Sequence, residues 1–239
     1  VIKLSKGEDM FLSTLNIVII RDQLNLLREG EPIGVFYGYQ EDGYDENGNI
    51  IYKDNVEDGT INSLDKTIIG NPNPDFIYSF NSIMNYKNFV FSFYIQGTHG
   101  NDLYSLSMAA LTTDYQEGIN TLKEVFYDHW SVETPNAKYP ALTPAATSSL
   151  KMSDRFVYDG SYLRLKNIEF AYNIPTTSIS WVKRAQVFVS GQNLFTITRY
   201  PFWDPDVNAK GGSSSITQGV DEYVYPVSKS FTGGIRLSF

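Results

Sequence analysis

An acidic segment between residues 54 and 65 carries oxygen-bearing side chains at the spacing of a calcium-binding loop. The candidate ligands, at its first, fifth, seventh, ninth and twelfth positions, are Asp54, Asp58, Thr60, Asn62 and Asp65. A hard cation prefers such oxygens, and the glycine at the sixth position permits the sharp turn that such a loop requires. The third position, however, is Val56, and the twelfth lacks the usual bidentate glutamate. The pattern leaves two interpretations open, a Ca²⁺ site and a solvated acidic turn, and no other cofactor is expected.

Histidines and carboxylates elsewhere do not form a catalytic pattern. His99 and His129 lack cysteines or close acidic partners at zinc-ligand spacing, and no serine stands in the strained elbow of a nucleophile. Four acidic residues are candidates for a pair of glycosidase carboxylates: Glu117, Glu124, Asp128 and Glu133. Nothing in their spacing sets two of them across a cleft, whereas solvation on a helix surface explains them all. We therefore expect no enzymatic activity.

Four aromatic residues lie in long polar segments and are candidates for substrate binding: Trp130, Tyr139, Tyr200 and Trp203. Aromatic rings offer large apolar faces with a polar edge or tip, which suits contact with sugars and with peptide side chains. The same residues could instead anchor the loops or contact a partner protein. The sequence does not separate these roles.

The elements that must position these residues are alternating strands. Residues 228–239 place Phe231, Ile235, Leu237 and Phe239 on one face and polar residues on the other, because side chains on a strand alternate with period two. The segment is about as long as a tilted strand that crosses a bilayer. This pattern is typical of an outer-membrane barrel, whose strands face lipid on one side and a polar lumen on the other.

Other segments repeat this alternation. Residues 76–81 and 88–96 form a predicted hairpin with a tight connection at 85–88. Residues 184–190 alternate cleanly, whereas the apolar residues of 162–173 change face near Asn167, which predicts a bulge there. Further strands are predicted at residues 10–20 and 1–5, with a turn between them at Lys6–Asp9.

The connections between strands alternate in length. Those at 85–87 and 174–183 are short, whereas three connections are long: 21–75, 97–161 and 197–227. Long loops with little structure are unusual inside a compact soluble domain, but they are typical of the extracellular side of an outer-membrane barrel. One long loop should hold a helix, because a helically spaced apolar stripe from Tyr115 to Trp130 follows the potential caps Thr112, Thr113 and Asp114.

The composition limits the classes of protein that fit. The 239 residues include no cysteine, 15% aromatic residues and a formal net charge of −8. No apolar run reaches the roughly 18–20 residues of a membrane-spanning helix. The acidic balance argues against nucleic-acid binding, which needs clustered Lys and Arg, and the lack of cysteine rules out a disulfide framework.

Several strings resemble, in the same order, the C-terminal barrel of SusC/RagA-type TonB-dependent transporters. They include Gly30–Gly34, Ile69–Phe76, Ser161–Ile168, Val189–Thr196, Asp204–Asp206, Tyr225–Pro226 and Ser230–Ile235. The resemblance implies an all-β, transmembrane antiparallel barrel of about 22 strands with a plug domain in its lumen. It further implies that residues 1–239 are one part of that barrel domain, with about six to seven strands, and that the plug lies outside these residues.

The resemblance also implies the location and the partners. It predicts an outer-membrane importer of oligosaccharides or peptides that works with a SusD-like surface lipoprotein. The TonB–ExbB–ExbD complex would drive import through the missing N-terminal part. The chain itself would contact membrane lipid and the remainder of the barrel. Phe239 would serve as the signal for outer-membrane insertion. Because six strands cannot close a barrel and open edges are not tolerated in lipid, the chain is expected to be a fragment of a longer wall.

Two interpretations differ in where the apolar rows lie. In the barrel, lipid-facing residues include Phe89, Phe91, Phe93, Ile235 and Leu237, and lumen-facing residues include Tyr94, Gln96, Gln186 and Arg236. The alternative is a soluble, secreted, calcium-dependent carbohydrate-binding β-sandwich, in which the same apolar rows would be buried in an internal core.

Overall fold

The computed structural model describes residues 10–11, 14–16, 21–113, 120–147, 150–176, 181–207 and 218–239. The strands, in chain order, are β1 (Met10–Phe11), β2 (Thr14–Asn16), β3 (Arg21–Gln23), β4 (Asn25–Leu27), β5 (Val35–Gly38), β6 (Glu41–Tyr44), β7 (Ile50–Tyr52), β8 (Thr67–Gly70), β9 (Phe76–Tyr86), β10 (Phe89–His99), β11 (Asp102–Ser105), β12 (Val157–Asp159), β13 (Tyr162–Ile174), β14 (Arg184–Thr198), β15 (Val220–Asp221) and β16 (Ser230–Ser238). The helices are α1 (Leu106–Thr113), α2 (Lys123–Tyr127) and α3 (Pro144–Thr147), with single 3₁₀ turns at Ser63–Asp65 and Asp154–Phe156. Among the described residues, no helix combines the length and the apolar character that a membrane crossing requires.

The chain divides into two compact units. The first comprises residues 1–73, 101–159 and 207–224, and the second comprises residues 74–100, 160–206 and 225–239. All five of the longest strands belong to the second unit, whereas the first unit holds the short strands and the helices.

The second unit is built on one antiparallel sheet, here called the long sheet, with the strand order β16-β14-β13-β10-β9. Its strands alternate aromatic or β-branched residues with polar ones, as a sheet with two different faces requires. The predicted hairpin is confirmed, since β9 pairs with β10 from Tyr86↔Phe89 to Phe76↔His99. Lys87 in its turn adopts a positive φ of 52°, a conformation that two-residue hairpin turns use to match the strand twist.

The predicted bulge is also confirmed. Against β10, pairing steps from Leu165↔Ile95 to Asn167↔Tyr94, so Lys166 is the extra residue. One extra residue reverses the alternation of everything beyond it. As a result, Leu165 and Ile168 lie on the same face of the long sheet, opposite Ile95 and Phe93 of β10. The break in the alternation of the sequence is therefore compensated by the bulge, and the apolar residues on both sides of it lie on one face.

The long sheet has five strands within the described residues. Its strand β14 continues to Thr198, beyond the cleanly alternating stretch 184–190 and into the start of the predicted connection 197–227. The predicted strand at 1–5 and the turn at Lys6–Asp9 lie outside the described residues. Of the predicted strand at 10–20, the described pieces form the short strands β1 and β2, which pair with β4 and β3.

The long connections are more ordered than predicted, because they fold into the first unit. Its small sheets have the orders β1-β4-β5-β8, β12-β11-β15, β2-β3 and β6-β7. Residues from all three long connections share one buried core: Leu24, Phe36, Tyr39, Ile50, Tyr52, Tyr104, Leu106, Ala109, Leu150, Met152, Phe156 and Val220. Strands of two to four residues carry too little alternation to be recognised in the sequence.

The helix predicted in the connection 97–161 differs from the observed ones. Only the short α2 falls inside the predicted stripe, and Asp114, Tyr115 and Ile119 lie outside the described residues. Thr112 and Thr113 were expected as N-caps, which is wrong. They lie in the last turn of α1, where their hydroxyls donate to the carbonyls of Met108 and Ala109 four residues earlier, both at 2.6 Å. The N-terminus of α1 is capped instead by Ser105, whose Oγ accepts from the Met108 N–H at 3.2 Å.

Candidate functional site

One face of the long sheet is a continuous apolar surface, here called the apolar face. Paired residues form rows across the strands, for example Phe89, Tyr172, Val187 and Ile235. Many side chains of this face are exposed despite their chemistry: Ile235 is 67% and Phe231, from another row, is 79% accessible. Because leaving apolar area in water costs roughly 25 cal/mol per Å², such a face needs an apolar surrounding. An internal core, as the sandwich alternative requires, does not cover it within the described residues.

Aromatic contacts tie neighbouring strands together on the apolar face. The ring of Phe89 lies 4.9 Å from that of Tyr172 and 5.6 Å from that of Phe170. Phe80 and Phe93 are also neighbours, with centroids 5.7 Å apart. Tilted ring pairs of this kind stabilise beyond the area that they bury.

The opposite face of the long sheet is polar and is crossed by a hydrogen-bonded chain. Arg236 of β16 donates from Nη1 and Nη2 to the two carboxylate oxygens of Glu169 on β13, each at 2.8 Å. It also donates to Gln186 Oε1 on β14 at 2.8 Å, and Gln186 donates to Asn173 Oδ1 at 3.0 Å. The Arg236 guanidinium lies 3.8 Å from the ring centre of Phe188. Three strands are thereby linked by polar contacts, as expected for a wall whose inner side is wet.

The predicted orientations of the named wall residues agree with this geometry. Tyr94 and Gln96, predicted to face the lumen, pair with Asn167 and Arg164 and share their face, and the Tyr94 hydroxyl lies 3.4 Å from Gln96 Oε1. The predicted lipid-facing residues all lie on the apolar face: Phe89, Phe91, Phe93, Ile235 and Leu237.

A buried arginine holds the segments that follow the long strands. Arg164 of β13 is 1% exposed and forms an ion pair with Asp204, which is 5% exposed. Its Nε donates to Thr196 Oγ1 at 2.8 Å, and Nη1 lies 3.5 Å from Asp206 Oδ2. Asp204 in turn accepts from the backbone N–H groups of Asp206 at 2.9 Å and Val227 at 3.2 Å. One cation thus fixes two connecting segments to a wall strand.

Sequence reasoning missed the role of Arg164 and Asp204. Both residues occur only as members of the strings that carry the family resemblance. The available signal was an arginine on the polar face of a strand together with a carboxylate pair around Pro205, which is a weak signal because such charges are usually solvated.

The first unit contains its own partly buried ion pair. Arg155 donates through Nε to Glu41 Oε2 at 2.5 Å and through Nη2 to the other oxygen of Glu41 and to the Tyr44 hydroxyl. Its Nη1 donates to the carbonyl of Lys138 at 3.0 Å. Burial raises the pKa of Glu41 although Arg155 opposes this, and burial also raises the pKa of Tyr158 to about 12. For Arg155, burial favours loss of the proton, but the bonds to Glu41 prevail and its pKa is raised.

The acidic segment 54–65 is organised by hydrogen bonds to its own backbone. Asp65 is buried and accepts from the backbone N–H groups of Asn62 at 2.8 Å, Asn55 at 2.9 Å and Val56 at 3.3 Å. These amides, with Asn62 first, lower the pKa of Asp65. Asp54 similarly accepts from Gly59 at 2.7 Å.

The remaining candidate ligands in this segment bond to each other. Asp58 accepts from the Thr60 N–H at 2.8 Å and lies 3.4 Å from Asn62 Nδ2. These oxygens thus accept from N–H donors of the same segment. Among the described residues, no group of three or more His, Cys, Asp or Glu side chains is placed to hold a metal ion. The calcium site stays a prediction.

The four candidate aromatic residues have different environments. Tyr139 is 3% exposed and its hydroxyl donates to Glu124 at 2.6 Å, while Tyr200 is 4% exposed, so both rings serve packing. Trp130 packs beside Gly48 and its backbone N–H donates to the Tyr139 carbonyl. Trp203 is 59% exposed and stacks on Phe202, with ring centroids 4.6 Å apart. Of the four, Trp203 offers the most accessible aromatic face.

The described histidines and carboxylates that were considered for zinc binding or catalysis lie in loop contacts or on the surface. His99 lies beside the Phe76 ring at 5.1 Å, and Nδ1 of His129 is 2.8 Å from the Phe126 carbonyl. Glu124 binds Tyr139, Asp128 accepts from the Lys138 N–H at 3.3 Å, and Glu133 is exposed. Glu117 lies outside the described residues.

Phe239 ends the apolar stripe of β16 and stacks on Trp181. The two rings are nearly parallel, 4° apart, with centroids at 5.6 Å. The backbone beside them is closed by the Lys183 N–H, which donates to the Ser238 carbonyl at 2.8 Å. Its predicted role as an insertion signal stays a prediction.

Comparison with known proteins agrees with this two-faced sheet. The chain is 32% identical to TonB-dependent receptor P3 of Formosa agariphila over 259 residues, covering 100% of this chain and 25% of that protein. It is 30% identical to TonB-dependent receptor SusC of Bacteroides thetaiotaomicron, covering 88% of this chain and 20% of that protein. No protein-family model matches the chain.

Solved structures show the same fold. One structure of the RagAB peptide transporter aligns with a TM-score of 0.74 at 21% identity and covers 90% of this chain and 23% of that chain. The RagAB peptide importer in its open-open state aligns with a TM-score of 0.73 at 20% identity, covering 99% of this chain and 25% of that chain. The chain thus spans between a fifth and a quarter of the length of the proteins that it matches.

These findings define the class of protein: the chain is part of the β-barrel of a TonB-dependent receptor, which lies in the bacterial outer membrane. Within that class it belongs to the SusC/RagA type. The predicted fold class, the C-terminal portion of a transmembrane antiparallel barrel, is confirmed. The assignment of residues 1–239 to a single barrel domain stays a prediction, beside the two compact units described above.

Proposed function

We propose that this chain forms part of the wall and the connecting loops of an active importer of oligosaccharides or peptides. The observation that carries the proposal is the division of the long sheet into an exposed apolar face and a hydrogen-bonded polar face. A wall of this kind separates hydrocarbon from a wet passage. The relatives are receptors named for TonB dependence, and the RagAB structures are named as peptide transporters or importers.

The first unit supplies the loops of the proposed importer. A shared buried core and the Arg155–Glu41 pair give these connections a fixed shape, which a surface for substrate or for a SusD-like lipoprotein requires. The TonB–ExbB–ExbD complex would act through parts of the protein outside these residues. We propose no catalytic role, since the candidate carboxylates Glu124 and Asp128 are engaged in hydrogen bonds within their own loop.

The experiment that tests this function uses the full-length receptor as the single copy in its native strain. Uptake of fluorescent oligosaccharides and of fluorescent peptides is measured with the receptor present, deleted and restored. We expect one of the two classes to lose uptake on deletion, and a surface lipoprotein to co-purify with the receptor. Unchanged uptake of both classes, with the receptor verified in the outer membrane, would contradict the proposal.

A matched pair of variants links uptake to the two faces. Phe231→Lys places a charge on the apolar face, in a row four residues away from the turn, and Thr232→Lys places the same charge on the polar face of the same strand. We expect only Phe231→Lys to abolish both insertion and uptake, because a charge facing lipid costs about 2–4 kcal/mol near the bilayer midplane.

A further inference from the structure

The apolar face is not flat but carries a groove. One depression, of about 250 Å³, is lined by residues that include Phe91, Phe170, Gly191 and Phe231. A second, of about 350 Å³, is lined by Met84, Tyr86, Phe89, Phe91 and Phe170. Both share Phe91 and Phe170, which pair across β10 and β13, so the two depressions adjoin at this pair and are together called the outer groove.

The floor of the outer groove is formed in part by glycines, which have no side chain to fill it. Gly191 lies in a row between Ile168 and Phe231, and a Cβ atom built on it would come within 2.9 Å of the Leu194 side chain. Gly233, in the next row, meets only Val189 and a backbone oxygen at 3.8–3.9 Å. Bulky rings flank these two glycines. The depression therefore follows from the strand register, which places glycines between larger side chains.

The outer groove spans a large part of one leaflet. It runs from the row of Tyr86 and Phe89, next to the turn, to the row that contains Gly191 and Phe231. That is four residues along a strand, or about 14 Å at 3.4 Å per residue. Because the strands of such barrels are tilted by about 35–45°, this length covers about 10–11 Å of the roughly 15 Å depth of one leaflet.

A cation marks the turn end of the groove. Lys87 lies in the turn between β9 and β10, and its Nζ is 5.5 Å from the ring centre of Tyr86. Tyr86 itself lines the groove and is 70% exposed. An ammonium beside an aromatic ring at the membrane boundary suits a phosphate headgroup, since tyrosine favours the interface and a lysine attracts anionic lipid.

We propose that the outer groove is a discrete phospholipid site. One acyl chain, from the leaflet that meets the turn end of the long sheet, lies along Phe89, Phe91 and Phe170 and ends over Gly191. Its phosphate lies near Lys87. The site goes beyond the proposed transport function and rests only on the apolar face being exposed to lipid.

The first test uses the full-length receptor, purified in mild detergent from its native membrane and titrated with phosphatidylglycerol during native mass spectrometry. Val189→Phe adds a ring over the groove, because Val189 lines it. The matched control Ile235→Phe adds a ring to the same face at a residue that does not line either depression. We expect about a tenfold fall in affinity for the first retained lipid in Val189→Phe and no change in Ile235→Phe. Equal retention in both variants and the unchanged receptor would overturn the proposal.

The second test separates the headgroup from the chain. Lys87→Asn removes the cation and suits the positive φ at this position, because asparagine tolerates that conformation. We expect phosphatidylglycerol to lose its advantage over phosphatidylcholine, while Lys183→Asn at the neighbouring turn keeps it. Loss of the advantage in both variants would show general surface attraction and would overturn the site.

A third measurement needs no variant and so remains decisive where a variant fails to insert. A phospholipid with a photoreactive group at the end of one acyl chain is cross-linked to the unchanged receptor in vesicles. We expect the label on peptides that contain Gly191, Leu194 or Phe231. Labelling spread evenly over the apolar face would show annular lipid only and would contradict a discrete site.

Discussion

The guanidinium of Arg164 and the carboxylate of Asp204 form an ion pair in which neither side chain is more than 5% exposed. The pair joins strand β13 to the segment after β14, and Asp204 extends the link to Val227 through its N–H. Burying two charges is costly, so the pair is held by several further bonds and not by attraction alone. The two segments that meet there are far apart in sequence but fixed to the same strand.

Breaking this pair should destabilise the wall strongly. Arg164→Met leaves the Asp204 carboxylate buried without its cation, and loss of one partner of a buried pair costs about 3–5 kcal/mol. Lys166→Met is the matched control, since Lys166 lies near Asp206 at 3.4 Å and is 25% exposed. We expect about 1 kcal/mol or less for the control. The measurement is urea unfolding of the full-length receptor in detergent, followed by the mobility shift of the folded barrel. Equal midpoints would contradict the role assigned to Arg164.

The ion pair of the first unit should control the order of the loops. Arg155→Lys keeps the charge but cannot reproduce the fork that Arg155 directs to Glu41, Tyr44 and the Lys138 carbonyl. We expect faster amide hydrogen exchange in β6 and in residues 138–141, with the long sheet unchanged. Lys138→Ala serves as control, because it keeps the carbonyl that Arg155 binds. The side chain that it removes is 60% exposed and forms a long ion pair with Glu124, at 3.9 Å. Identical exchange in the two variants would refute the prediction.

Much of the long sheet could be predicted from the sequence, and the reason is physical. Alternation with period two is imposed by the two solvents of a membrane wall, so it survives over strands such as β9 and β10. Even the bulge could be predicted, because the apolar residues of the sequence change face near Asn167. The first unit could not be predicted, because its core joins Leu24, Tyr104 and Val220 from three distant segments. The pairing of Arg164 with Asp204 likewise depends on tertiary contact.

The loop at 54–65 should depend on pH through Asp65. Its usual pKa of 3.8 is lowered in the folded protein by backbone N–H donors. A lowered pKa means that the carboxylate stabilises the loop above pH 3.8 and that this contribution is lost as the pH falls through the lower folded value. We expect the amides of Asn55 and Asn62 to exchange slowly at pH 7 and to lose this protection as the pH falls below 3.8. Asp65→Asn should remove the protection already at pH 7.

The control for this loop is Asp58→Asn, because Asp58 is exposed and accepts a local bond from Thr60. Its amide exchange should keep the pH dependence of the unchanged protein. If Asp65→Asn also kept that dependence, another group would be responsible. Calcium can be tested in the same experiment: a bound ion would slow exchange in the unchanged loop on titration with Ca²⁺, whereas a solvated acidic turn would show no effect.

Removing the bulge by deletion should leave the two faces of β13 in place. Tyr94 and Ile95 are neighbours in β10 and pair with Asn167 and Leu165, so deletion of Lys166 lets β13 follow β10 with strict alternation. Leu165 would stay on the apolar face and Arg164 on the polar face, and we expect the full-length receptor to assemble in the outer membrane. Deletion of Ala171, in the regular part of the same strand, is the matched comparison: it makes Phe170 and Tyr172 neighbours, so one of the two rings must turn to the polar face. We expect this second variant to assemble poorly. Protease protection of intact cells measures both, and equal assembly of the two deletion variants would show that the bulge does not set the two faces.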